Sequence, residues 1–165
     1  MIFLDTCVWI ELVAAKSPVT TTETRQAMLA SKLLNSIKKD NKKIVTCREQ
    51  ILEIISAVQK YKMREYNRLC KEKAVSGVGN LKEFRQTSTF AQTQDLCHEA
   101  CEDVNHMAEL AVPDINVEDI LNNLHLVDIN DCIYYKFCSD KGIDLYTFDA
   151  DFKKLAPTGM LHILS

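Results

Sequence analysis

The sequence predicts an α/β fold: three layers, α/β/α, around a mostly parallel sheet of four to five strands, with an inserted helical hairpin. Three observations carry this. Short apolar runs alternate along the chain with segments of helical periodicity, as strands joined by crossover helices do. Several of those runs are hydrophobic throughout, which suits strands covered on both faces. Residues 60–115 show helical patterning only and read as one long helical interruption of a single domain spanning 1–165.

Taken in order, "MIFLD" is a buried strand closed by an acid, followed by a helix from about Thr6 to Ala14 and a Ser17-Pro18 loop. "TTTETRQAMLASKLLNSIKKD" opens with threonines and a nearby glutamate, the signature of a capped helix start. "KKIVTC" is the second strand. The next helix carries Ile51, Ile54, Ile55, Val58 and Tyr61 as an apolar stripe at helical spacing. "SGVGN" breaks the chain, and helices are expected near 81–92 and 94–111, before Pro113. "INVEDILNNL" is a short helix with Asn116 as its cap, and "HLVDI" is expected to be briefly extended. "NDCIYYKFCSDKG" is a helix closed by Gly142. "IDLYTFD" is a strand, "ADFKKLA" a helical turn and "MLHIL" the last strand.

Composition narrows the function classes. The 165 residues include 47% hydrophobic and 26% charged, ordinary for a globular domain. No apolar run approaches the ~20 residues of a membrane span. The first segment carries Asp5 and Glu11 and no basic leader, so a cytoplasmic protein without a membrane role is expected. Seven cysteines, an odd number, then read as reduced thiols. Cys97 and Cys101 with His98 and His106 nearby could share a helix face, but paired CxxC spacing is absent. Net charge is −3, yet it is unevenly spread. Lysines and arginines cluster at 38–43 and 60–73, while Gln94 to Asp119 holds eight acids and no Lys or Arg.

The acids at strand ends are the chemical signal. In a parallel sheet every strand delivers its carboxyl end to one edge, where ligands bind at the point of topological reversal. Asp5 ends the first strand and Asp149 ends "DLYTF"; Asp131 opens a helix, and Glu53 lies early in the helix after "KIVT". Each alone could be a cap or turn residue. Together they can converge on one cleft, where clustered carboxylates must take up protons or bind cations. An all-oxygen set suits Mg²⁺ or Mn²⁺, and a metal so held suits phosphodiester hydrolysis. Competing chemistries fit less well. A haloacid-dehalogenase-type phosphatase needs an acid where Cys7 stands, and a dinucleotide fold needs glycines long before the first one, Gly77.

"MIFLDTCVWIEL", the Glu53 helix, "NDCIYYKFCSDKGIDLYTFDADFKKL" and the final strand resemble a PIN domain, the metal-dependent ribonuclease fold of VapC-type toxins and RNA-processing nucleases. The resemblance implies that Asp5, Glu53, Asp131 and Asp149 are catalytic and ligate one or two Mg²⁺ or Mn²⁺ ions, with Asp151 as an auxiliary metal acid and Thr6 in the hydroxyl position. Glu49, one turn before Glu53, is the alternative second acid. It implies cleavage of RNA, and a toxin subclass would add a small antitoxin protein; dimers are common in the family. Lys42, Lys43, Lys60, Lys62, Arg64 and Arg68 are the expected contacts to the RNA backbone. The alternative is a PIN-like protein- or RNA-interaction module with a weak or idle metal site, working through the 60–115 helices.

Overall fold

A computed structural model describes residues 1–14, 16–155 and 159–165. Among these, strands β1 (Ile2–Leu4), β2 (Ile44–Cys47), β3 (Ala108–Ala111), β4 (Asp144–Thr147) and β5 (Leu161–Ile163) form one sheet in the order β3-β2-β1-β4-β5. Every pairing is parallel. The chain fills the sheet outward from β1 through β2 to β3, then crosses back to lay β4 on the other side of β1. The reversal therefore falls between β1 and β4, where an open α/β sheet leaves a crevice at its carboxyl edge.

The strand sequences explain the three layers. Alternate side chains of β1 point to opposite faces. Ile2 and Leu4 join a core with Trp9, Val13, Ile54 and Val58, beneath helices α1 (Thr6–Val13), α2 (Thr21–Lys39) and α3 (Arg48–Glu72). Phe3 points the other way, with Val45 and Leu145, onto Tyr134 and Phe137 of helix α7 (Ile129–Lys141) and Phe152 of the 3-10 turn Ala150–Leu155. Burying each such large side chain contributes roughly 1.5–3 kcal/mol, so both faces are needed to hold the short central strand. Helix ends follow local chemistry. Thr20 and Glu23 form a reciprocal capping box on α2. Gly142 closes α7 with φ 62°, a left-handed position that a Cβ would strain.

Three expectations require correction. Residues 108–111, expected to continue a helix, are strand β3. Ala-Glu-Leu-Ala is helix-prone, but the free edge of β2 pairs it from Ile44↔Ala108 to Cys47↔Ala111, and pairing outweighs local preference. Residues 81–92 form only the short helix α4 (Leu81–Phe84) before α5 (Phe90–Met107) begins. The Thr87 hydroxyl donates to the Phe84 carbonyl, a local bond that competes with helix continuation. "HLVDI" is not extended: the amides of Leu126 and Val127 both turn back to the Asn123 carbonyl after helix α6 (Val117–Asn123). Ala15 and the last residue of "ADFKKLA", Ala156, lie outside the described residues.

The helical interruption is a hairpin of α3 and α5 whose return arm joins the core. Cys97, Ala100 and Val104 of α5 belong to the same cluster as Trp9 and Val58. The far end has its own small cluster, with Phe84 packed 5.6 Å from the Tyr66 ring and 5.7 Å from the Phe90 ring. The Asn67 side chain clasps both backbone groups of Val78 and fixes the connecting loop.

Candidate functional site

Asp5 sits where β1 becomes α1, with its side chain 5% exposed. One carboxylate oxygen accepts from the Thr6 amide at 2.6 Å, capping the helix. The other accepts from the Thr147 hydroxyl at 2.5 Å and from the Cys7 thiol at 3.0 Å. Burial raises the Asp5 carboxyl above its ordinary range, against the lowering effect of the Cys7, Thr147 and Thr6 donors.

Thr147 ends β4 and joins two acids. Its hydroxyl donates to Asp5 and accepts from the Asp149 amide at 2.8 Å. Asp149 is itself exposed and accepts from the Asp151 amide at 2.8 Å. It therefore stands at the lip of the sheet, above buried Asp5.

Glu53 is placed from beneath by Gln50. The buried Gln50 side chain accepts from Thr46 and donates to the Leu4 carbonyl, both at 2.8 Å, which fastens the first turn of α3 to β1. One turn on, a single carboxylate oxygen of Glu53 accepts from the Thr6 hydroxyl at 2.9 Å and the Tyr134 hydroxyl at 2.6 Å. Tyr134 is completely buried, so its phenol anchors Glu53 to α7. Desolvation, and then that bond to Glu53, raise the Tyr134 phenol far above its ordinary range and keep it a donor.

Asp131 is the third residue of α7 and is half-buried. Among the described residues no hydrogen-bond donor or cationic side chain pairs with it. Its carboxyl is pushed up to about 7, first by desolvation and then by the charges of Asp5, Asp149, Glu53 and Asp128. These acids line one cleft of about 340 Å³ at the carboxyl edge of β1 and β4. As they lie, no three acidic, histidine or cysteine groups among the described residues are gathered closely enough to enclose an ion. Unit charges about 4 Å apart repel by roughly 4 kcal/mol at an effective dielectric of 20, so a cleft lined this way favours protons or cations.

The structure thus brings Asp5, Thr6, Glu53, Asp131 and Asp149 together, and adds Asp128 at the rim. Asp151 is not among the cleft residues; it is exposed and pairs with Lys154 at 2.9 Å. Glu49 also lies outside, with one oxygen buried and unpartnered, whereas Glu53 lines the cleft. Lys42 and Lys43 require correction as contacts to a strand in this cleft. They precede β2 at the amino edge of the sheet, in a separate hollow, and Lys43 pairs with Glu109 at 2.6 Å. A four-residue strand spans roughly 13 Å, which puts them on the far side of the sheet. Arg64 and Arg68 line a groove beside the cleft, Lys62 is paired with Glu65 at 2.9 Å, and Lys60 is exposed but lines neither space. Cys97 directs its thiol to the Ile55 carbonyl, and all seven cysteines are free.

Thr147, the Tyr134 hydroxyl and the Glu11–Lys16 ion pair at the cleft wall were not singled out from the sequence. Tyr134 was within reach, since it lies three residues after Asp131 on one helix face. Thr147 and Lys16 carry no comparable signal, because their neighbours come from distant segments.

A family model described as PIN domain matches residues 2–157, taking in β1 to β4 and all four converging acids. No curated protein and no solved structure gives a significant match. PIN domains are generally nucleases that use divalent metal ions such as Mg²⁺. Matched over almost its whole length, and with its acids at the sheet edge where that family's chemistry is done, this chain belongs to the PIN domain family.

Proposed function

We propose that the chain is a divalent-metal-dependent ribonuclease that hydrolyses RNA phosphodiester bonds in the cleft between β1 and β4. One observation carries the reading. Carboxylates from four separate segments face one small cleft, and the half-buried Asp131 is pushed up to about 7 by desolvation and then by the charges of Asp5, Asp149, Glu53 and Asp128. That donor set is all oxygen and fits Mg²⁺ or Mn²⁺, one ion or two, better than softer metals. When bound, such an ion supplies an activated water and stabilises charge at phosphorus. Asp5, Glu53, Asp131 and Asp149 would hold it. Thr147 and Cys7 fix the Asp5 carboxylate, and Thr6 and Tyr134 fix that of Glu53, so these two donors are oriented before any ion arrives.

Asp5→Asn is the direct test. It keeps the helix cap, removes one like charge and is expected to abolish Mg²⁺- or Mn²⁺-dependent RNA cleavage while the fold persists. Undiminished cleavage by the folded variant would refute the reading. As the toxin of a toxin–antitoxin pair, the chain would be restrained by a small protein placing basic side chains in the acidic cleft. Growth arrest on expression, with relief by a neighbouring gene product, tests that refinement. The absence of a gathered ion-binding triad among the described residues favours a second reading, an interaction module with an idle site. Calorimetric Mn²⁺ titration separates the two: binding that falls on Asp149→Asn supports the nuclease, and no binding supports the module.

A further inference from the structure

Lys16 is the one lysine or arginine among the described residues that line the acidic cleft. It stands just past α1, and its ammonium pairs with Glu11, whose side chain is 4% exposed. The ammonium also lies 5.3 Å from the centre of the Tyr61 ring, a cation–π arrangement. Held this way, Lys16 stays at the wall and does not neutralise Asp131, which keeps the charge of four neighbouring acids uncompensated. A cation kept out of an acidic cleft by a buried partner needs a reason.

The reason lies in what Lys16 joins. Lys16 and Gln26 line both the acidic cleft and the adjoining groove of about 310 Å³ that holds Tyr61, Arg64 and Arg68; its two acids are engaged elsewhere, Glu65 by Lys62 and Glu23 in the α2 capping box. Along α3, Glu53, Ala57, Tyr61, Arg64 and Arg68 recur at helical spacing and form one face. The first two border the cleft and the last three border the groove. The helix face therefore runs from acids to bases over roughly 22 Å at 1.5 Å per residue, with Ala57 leaving space at the junction. Arg64 is exposed and has no acidic partner among the described residues, whereas exposed Arg68 pairs with Glu72 at 3.1 Å on the helix surface. The Lys16 ammonium carries three N–H donors, so it can donate to a phosphate while it keeps its pair with buried Glu11.

We propose that Lys16 binds the backbone phosphate next to the one being cleaved, and that the single RNA strand then continues along α3 past Arg64 and Arg68. The proposal rests on the ribonuclease reading for the nature of the anion. Glu11 and Tyr61 are positioning residues that hold Lys16 at the wall, where its free N–H donors meet the phosphate.

The test uses fluorescence anisotropy of a short single-stranded RNA of mixed sequence across a salt series, in the Asp5→Asn background to prevent cleavage. Glu11→Gln/Lys16→Met keeps the wall neutral and so protects the fold. It should weaken binding several-fold and lower the slope of log affinity against log salt by about 0.7, the share of one phosphate on a single strand. Lys16→Arg should keep the slope. Lys42→Met, at the opposite edge of the sheet, should leave both quantities unchanged. An unchanged slope in the folded double variant, or an equal loss in Lys42→Met, overturns the proposal. If the parent protein with intact Asp5 cleaves no RNA, the ribonuclease reading falls, while a slope lost with Lys16 still upholds the phosphate contact.

Discussion

Asp131→Asn should make the metal-free protein more stable at neutral and alkaline pH. The Asp131 carboxyl is raised from 3.8 to about 7 in the fold, chiefly by desolvation and then by Asp5, Asp149, Glu53 and Asp128. A carboxyl raised above its unfolded value favours the fold while protonated and loses that advantage as it ionises. The loss begins near the unfolded value and is complete once pH passes about 7. At about 1.4 kcal/mol per pH unit, full conversion would approach roughly 4 kcal/mol. Asp131 is only half-buried, so solvent screening brings the figure to about 1–2 kcal/mol. Urea unfolding with a chelator present, from about pH 4.5 to about pH 8, reads this directly. Wild type should lose about 1–2 kcal/mol more than Asp131→Asn across that range. Asp5 is raised too and is coupled to Asp131, so the difference between the two proteins reports the Asp131 charge together with its repulsion of the neighbouring acids. Added Mn²⁺ should restore the wild type and do much less for the variant. Parallel pH profiles for the two proteins would refute the electrostatic account of the cleft.

Tyr134→Phe leaves Glu53 with only the Thr6 donor; we expect a roughly tenfold loss of Mn²⁺ affinity by calorimetry, and unchanged affinity would count against Tyr134 as the anchor of Glu53. Thr147→Val keeps shape but strips a donor from buried Asp5 and an acceptor from the Asp149 amide. Its melting should report a loss of about 1–3 kcal/mol, largely recovered in Thr147→Ser.

Much of the fold was legible because the central strands β1 and β2 are buried throughout. "MIFLD" and "KIVTC" read as short, mostly apolar runs, and "DLYTF" alternates half-buried and buried side chains, so none needed a partner to be recognised. Strand β3 escaped because "AELA" lies at the sheet edge, with Glu109 and Leu110 exposed, and has no buried face to write into the sequence. The four converging acids were legible for a related reason: a parallel sheet sends every strand end to one edge, so position along the chain implies position in space. The basic residues obey no such rule. Lys42 and Lys43 sit close in sequence to a strand leading toward the site, yet they precede it and so face the other edge. Asp151 shows the limit on a finer scale, since two residues past Asp149 the chain has already turned toward Lys154 and solvent.

The hydrogen bonds divide the four acids into two unlike pairs. Asp5 holds three donors and Glu53 holds two, all from side chains or amides fixed in the core. Among the described residues Asp149 accepts only from the amide two residues on, and Asp131 from no donor. A carboxylate with fixed donors keeps its direction without a cation. On the proposed metal-binding reading the cleft would then be half prepared, one pair aimed by the fold, and the cost of closing the site would fall on Asp131 and Asp149. Loss of a donor to Asp5 or Glu53 should then weaken ion binding by disordering the prepared half. Loss of charge at Asp131 should weaken it while relieving strain in the ion-free protein. The two halves can be told apart by the sign of their effect on stability alone.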